Sequence, residues 1–88
     1  MDTRTVTIVN ALGLHARAAA RFVHHAARFK SQIKITLGSR TVDGKSILGL
    51  LLLAAPRGAT LVIAADGADA VTALDVLSSL VARGFDDA

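Results

Sequence analysis

What most constrains this chain is the period of its hydrophobic pattern. It switches between strand-like and helix-like spacing along the whole length, with no linker, repeat or low-complexity tract between segments. Thr5-Val6-Thr7-Ile8-Val9 alternates as a half-buried strand does. Asn10 to Leu14 carries Asn and Gly and reads as a loop. A helix follows, from about Ala16 to Arg28, with Ala19, Phe22, Val23 and Ala26 at i, i+3, i+4 and i+7. Ile33, Ile35 and Leu37 alternate with Lys34 and Thr36 in a second strand. Gly38-Ser39 is a tight turn into a short third strand, Arg40 to Asp43. Ser46 caps a short helix over Ile47 to Leu53, which stops before Pro56 and Gly58. Thr60 to Ala65 is the fourth strand, and Asp66-Gly67 turns the chain. Asp69 is placed to cap a last helix with Val71, Leu74, Leu77 or Ser78, and Val81 on its buried side, and Gly84 suits the position just past its end.

The order is β-α-β-β-α-β-α. Three amphipathic helices and one sheet predict an α+β fold of two layers, with the helices on one face of a four-stranded antiparallel sheet. The other face can stay wet, and Thr5, Thr7, Lys34 and Thr36 fit it. Eighty-eight residues are expected to form one domain, burying roughly 60–65% of the unfolded surface. The chain is 52% hydrophobic and 19% charged, too apolar for intrinsic disorder.

Composition also narrows function. The absence of cysteine excludes a disulfide scaffold, a thiol nucleophile and a cysteine zinc site. Aromatics are 3%, with no Trp or Tyr, which opposes base stacking and leaves nucleic acid an improbable partner. The net charge of +3 permits acidic partners. Met1-Asp2-Thr3-Arg4 does not open a targeting segment, and the longest apolar run, Ile47 to Ala55, is well short of the ~20 residues that cross a bilayer. A cytoplasmic protein without membrane insertion is expected. Gly44-Lys45-Ser46 resembles the end of a P-loop, but Ser39 stands where the motif needs glycine. His24 and His25, adjacent on a helix, should diverge, and no carboxylate sits at ligand spacing, so neither metal nor cofactor is expected.

The most informative stretch is Gly13-Leu14-His15-Ala16-Arg17. It sets an imidazole where a helix begins. The first amides of a helix have no partners within it, and with the macrodipole they favour an anion. The same field disfavours imidazolium and favours a neutral ring with a nucleophilic nitrogen. Arg17 adds a fixed charge and a fork matched to phosphate oxygens. The arrangement suits a histidine that takes and releases a phosphoryl group. On these residues alone, a polar N-cap and a solvated arginine account for the pair as well. Arg17, Arg21, His24 and Arg28, spaced four, three and four apart, form one basic stripe.

With Ala19-Ala20 and Phe22-Val23 after it, this stretch resembles the active-site motif of the histidine-containing phosphocarrier (HPr) family of the bacterial phosphotransferase system. Lys45-Ser46-Ile47-Leu48-Gly49-Leu50 is similar to that family's regulatory-serine segment, and length and element order agree over essentially the whole chain. The resemblance implies an HPr-like open-faced sandwich. It implies a carrier rather than an enzyme, in which enzyme I phosphorylates His15 at Nδ1 and an enzyme IIA domain receives the group. Arg17 and the backbone of Ala16, Arg17 and Ala18 are then the phosphate-binding candidates. Ile47, Leu48 and Leu51 form an exposed apolar patch for docking, rimmed by Arg21, His24 and Arg28, while Leu50 and Leu53 belong to the core. Ser46 becomes a target for an HPr kinase. The protein is expected to act as a monomer. The family usually has proline after the arginine, where this chain has Ala18, which leaves the first helical turn less rigid and adds an N–H. A nitrogen-related branch of the same system shares the site; the other alternative is a regulatory binding module controlled at Ser46, against which the presence of His15 argues.

Overall fold

The computed structural model describes residues 1–86. Its elements are β1 (Asp2–Thr7), α1 (Ala16–Ala26), β2 (Gln32–Leu37), β3 (Arg40–Asp43), α2 (Ile47–Leu53), β4 (Thr60–Asp66) and α3 (Ala70–Ala82), followed by a 3-10 turn, Gly84–Asp86. The strands make one antiparallel sheet in the order β1-β4-β2-β3. Ile35 sits opposite Ile63, and Val6 opposite Leu61. Alternation along the strands puts Ile33, Ile35, Leu61, Ile63 and Ala65 under the three helices, all buried. Phe22 and Ala26 of α1, Leu50 and Leu53 of α2, and Leu74, Leu77 and Val81 of α3 close that core. On the other face Thr5, Thr7 and Lys34 are exposed, and Thr36 is half-buried with its hydroxyl 2.8 Å from that of Thr41.

The boundaries differ from the sequence reading by one residue at β2, which begins at Gln32, and at β4, which runs through Asp66, and by more at β1 and α1. β1 begins at Asp2, because β4 offers partners as far as Ala65, and ends at Thr7 opposite Thr60. α1 stops at Ala26 rather than Arg28. Its last turn tightens, with Arg28 N bonded to His25 O and Phe29 N to Ala26 O, so Arg28 lies beyond the regular helix.

Three side chains are also placed differently. Val71 is 60% exposed, because the buried stripe of α3 starts from Ala70 and runs through Ala73, Leu74, Leu77, Leu80 and Val81. Ser78 is half-buried, and it accepts a hydrogen bond from Arg4, whose guanidinium also pairs with Asp75 at 2.7 Å. Asp69 holds the N-cap position of α3 but makes no capping bond. Its carboxylate instead accepts from Lys30 N (2.8 Å), Ser31 N (3.0 Å) and the Ser31 hydroxyl, which clamps the α1–β2 loop to the β4–α3 turn. These bonds, the Ser31 hydroxyl foremost, hold the Asp69 carboxyl down at about 2. Gly67 makes the clamp possible, since a Cβ there would lie 2.6 Å from Ser31 Oγ.

Candidate functional site

The loop that delivers His15 is fastened from both sides. Asn10 is buried, and its Nδ2 donates to Gly13 O at 2.8 Å while Gly13 N donates to Asn10 O at 3.1 Å. Gly13 has φ +66°, and a Cβ there would lie 2.5 Å from Ala55 O. Only glycine meets both conditions. Leu14 is buried, and its N–H donates to the same Ala55 oxygen at 2.9 Å. The loop thus rests on the segment that follows α2.

His15 emerges from this loop as the N-cap of α1, with extended backbone (φ −79°, ψ 179°). Its carbonyl accepts the first helical bond from Ala19 N at 2.8 Å, and its Nδ1 accepts from Arg17 N at 3.2 Å. The bond turns the Nδ1 side of the ring toward the first amides of α1. The ring is half-buried, and Ala16 and Arg17 are exposed beside it. Ala18 is fully buried against the core, at 0% exposure. Its N–H belongs, with those of Ala16 and Arg17, to the first turn of α1.

Of the basic stripe, Arg17, His24 and Arg28 are exposed. Arg21 is half-buried, and its Nη1 donates to Phe85 O at 2.8 Å, tying α1 to the C-terminal turn. The expected divergence of His24 and His25 is not found. Their rings meet edge to face, with centroids 5.7 Å apart at 77°. Protonation of His25 is disfavoured by burial first, then by Arg28, His24 and Arg83, against an opposing pull from Asp86.

Ser46 is half-buried and caps α2, its Oγ accepting from Gly49 N at 3.0 Å. Lys45 does not face a phosphate loop, since its Nζ donates to Phe29 O at 2.7 Å. Next to Ser46, Ile47, Leu48 and Leu51 are exposed, at 43%, 67% and 37%, while Leu50 and Leu53 are in the core. Leu52 (63%) enlarges this apolar surface, and Leu12 (73%) is exposed in the loop before α1; neither was singled out from the sequence. For Leu52 the signal was present: a helix of barely two turns that is apolar almost throughout must leave half its side chains outside. Arg40 Nη1 donates to Leu52 O at 3.2 Å and sets a cation at the end of α2. Among the described residues, no helix is long and apolar enough to cross a membrane.

A family model described as the PTS HPr component phosphorylation site matches residues 2–83. The chain is 46% identical over 85 residues to the phosphocarrier protein HPr of Cupriavidus necator, covering 97% of this chain and 96% of the relative. It is 44% identical over 85 residues to the phosphocarrier protein NPr of Shewanella violacea, covering 97% and 93%. The crystal structure of HPr-C-His from Thermoanaerobacter tengcongensis superposes with a TM-score of 0.95 at 36% identity, covering 100% of this chain and 99% of that one. Fold and relatives together define a class, the small phosphocarrier proteins of the phosphotransferase system. Within it, the chain belongs to the HPr family.

Proposed function

We propose that His15 is the phosphoryl acceptor of this carrier, receiving the group from phospho-enzyme I and passing it to a histidine of an enzyme IIA domain. The observation that carries this reading is the half-buried ring at the start of α1, with Nδ1 turned to the Arg17 amide. In the first step the phosphorus–nitrogen bond on enzyme I breaks as a bond to His15 Nδ1 forms, and Nε2 keeps its proton. Once Nδ1 holds phosphorus it no longer accepts from Arg17 N, and that amide turns to a phosphoryl oxygen. Ala16 N and the Arg17 guanidinium supply further donors at the positive end of the helix. Positioning and charge do the work, and the second step runs the same exchange in reverse toward the IIA histidine. The chain returns unchanged, as a carrier does, and the exchange as written uses no cofactor.

Docking falls to the apolar surface of Ile47, Leu48 and Leu51 with the cations of α1 around it. Such a surface suits brief contact with acidic partners. Arg28 and His24 form that rim, and Arg21 adds its charge from an anchored position. We place this cycle in the cytoplasm, with the chain acting as a monomeric unit. A phosphate on Ser46, added by an HPr kinase, would set a dianion against Ile47 and Leu48 and repel the same partners.

The resemblance to a phosphocarrier NPr favours a second reading, in which phosphorylated His15 signals within the nitrogen-related branch instead of serving sugar uptake. Relative transfer rates from the purified enzyme I of each branch distinguish the two. The acceptor itself is tested with labelled phosphoenolpyruvate and enzyme I. Acid-labile label on the wild type that is absent from His15→Ala is expected, and equal label on both proteins would reject His15.

A further inference from the structure

Asn10 is only a loop residue in the sequence pattern, yet the fold buries it. It is 7% exposed, while its neighbours Val9 and Ala11 are open to solvent. A polar side chain turned inward between exposed apolar ones needs a bond to offset its burial. Asn10 makes one, from Nδ2 to Gly13 O at 2.8 Å. Its Oδ1, also buried, accepts from no group among the described residues. The protein therefore uses the donor half of this amide and not the acceptor half.

The bond falls on a peptide unit that is held at both of its polar ends. Gly13 O accepts from Asn10 Nδ2, and Leu14 N donates to Ala55 O at 2.9 Å. A peptide unit is planar, so fixing its C=O and its N–H fixes the plane. That plane is the last but one before His15. Asn10 is itself backed by the C-terminal turn: a Cβ on Gly84, which has φ +67°, would lie 3.3 Å from Asn10 Cβ. The turn is tied to α1 by Arg21 through Phe85 O. Asn10 thus stands wedged between that turn and the loop, with its N–H aimed at the loop.

We propose that Asn10 is a positioning residue for phosphoryl transfer. Through the Gly13 carbonyl its amide N–H sets the peptide plane that leads into His15, and with it the angle at which Nδ1 meets the incoming phosphorus. This rests on the carrier role of His15. Nδ1 lies 3.2 Å from Arg17 N, so a small turn of the backbone moves the ring away from both the first helical amides and the line of attack. Transfer depends steeply on such alignment. The docking surface of α1 and α2 does not include Asn10, so association with the donor is untouched. Aspartate has the same shape and no N–H, and it sets an acceptor against Gly13 O. Asn10→Asp therefore removes the donor while keeping the volume.

The test is single-turnover transfer from phospho-enzyme I to the full chain over a range of chain concentrations. It compares wild type, Asn10→Asp, Asn10→Ala and, as a control destabilised elsewhere, Asp69→Asn, at a temperature where all four are folded. The saturating rate is expected to fall about ten- to hundredfold in both Asn10 variants. The half-saturating concentration should stay within about twofold of wild type. Asp69→Asn should keep the wild-type rate. The His15 Nδ1 resonance of nitrogen-labelled protein should shift in the two Asn10 variants and stay in place in Asp69→Asn. A wild-type saturating rate in either Asn10 variant would overturn the proposal and leave His15 as acceptor. A loss carried by the half-saturating concentration alone, or one that Asp69→Asn shares, would overturn it too. Failure of the wild type to accept any phosphoryl group would instead remove the carrier reading on which it stands.

Discussion

Gly13 is the residue on which delivery of His15 turns. Its φ of +66° and the Ala55 oxygen 2.5 Å from where a Cβ would sit act together, so relief of one leaves the other. Gly13→Ala is expected to cost about 1–3 kcal/mol of backbone strain, read as a lowered urea midpoint, and to slow phosphoryl transfer because the loop must shift before the ring does. Asp69 offers a separate test through pH. Its carboxyl is lowered from 3.8 to about 2 by the Ser31 and Lys30 bonds, so the folded state binds its proton less readily than the unfolded chain. The stability it contributes is fully present above the ordinary aspartate range and is lost as pH falls through about 2. Asp69→Asn should therefore melt lower than wild type at neutral pH, and the gap between the two should narrow on acidification toward pH 2. A constant gap would mean that the clamp does not depend on ionisation.

Among the elements, α2 shows most clearly how a short segment divides its work. Seven residues bury Leu50 and Leu53 and leave Ile47, Leu48, Leu51 and Leu52 outside. The buried pair explains why α2 stays on the sheet. The exposed four have no role in the core, and an exposed apolar surface of this kind suits the docking role proposed for it. Leu48→Asp should leave stability within about 0.5 kcal/mol of wild type, since the side chain is 67% exposed. It should raise KM for phospho-enzyme I severalfold at unchanged kcat, in steady-state transfer assays. A melting point that falls with activity would assign Leu48 to the fold instead. Helix α1 divides its face in a related way. Arg17 stands at the ring, His24 is exposed in the middle, and Arg21 between them is spent on the Phe85 carbonyl. A stripe read from spacing alone therefore contains one member that also holds the C-terminal turn.

At the scale of the molecule, one end of the sheet gathers the candidate site: the His15 loop, the start of α1 and the end of α2 with Arg40. Much of this was legible in the sequence. Period-2 and period-3.6 segments give five of the seven main elements, because side-chain spacing reports which face is buried, while the Gly38-Ser39 turn and the Ser46 cap give β3 and α2. The start of α1 was legible because a loop glycine and a polar cap precede its apolar stripe. What was not legible depends on contacts between distant segments. The strand order β1-β4-β2-β3 is set by packing rather than by local pattern. Asp69 looks like a cap, and it is the proximity of Ser31, far away in sequence, that turns its carboxylate aside. Val71 lies out of phase because Ala70, small and easily counted as neutral, begins the buried stripe. Ala18 follows the arginine in the chain, yet the helical turn carries it into the core.

The central claim is that the phosphoryl group resides on Nδ1 of His15. The most direct measurement is a phosphorus and nitrogen NMR experiment on protein carrying nitrogen-labelled histidine, charged with enzyme I and phosphoenolpyruvate. A single phosphorus resonance coupled to the Nδ1 signal of His15, and missing from His15→Ala, is the result expected. Coupling to Nε2, to His24 or His25, or a phosphorus signal that survives in His15→Ala would contradict the account.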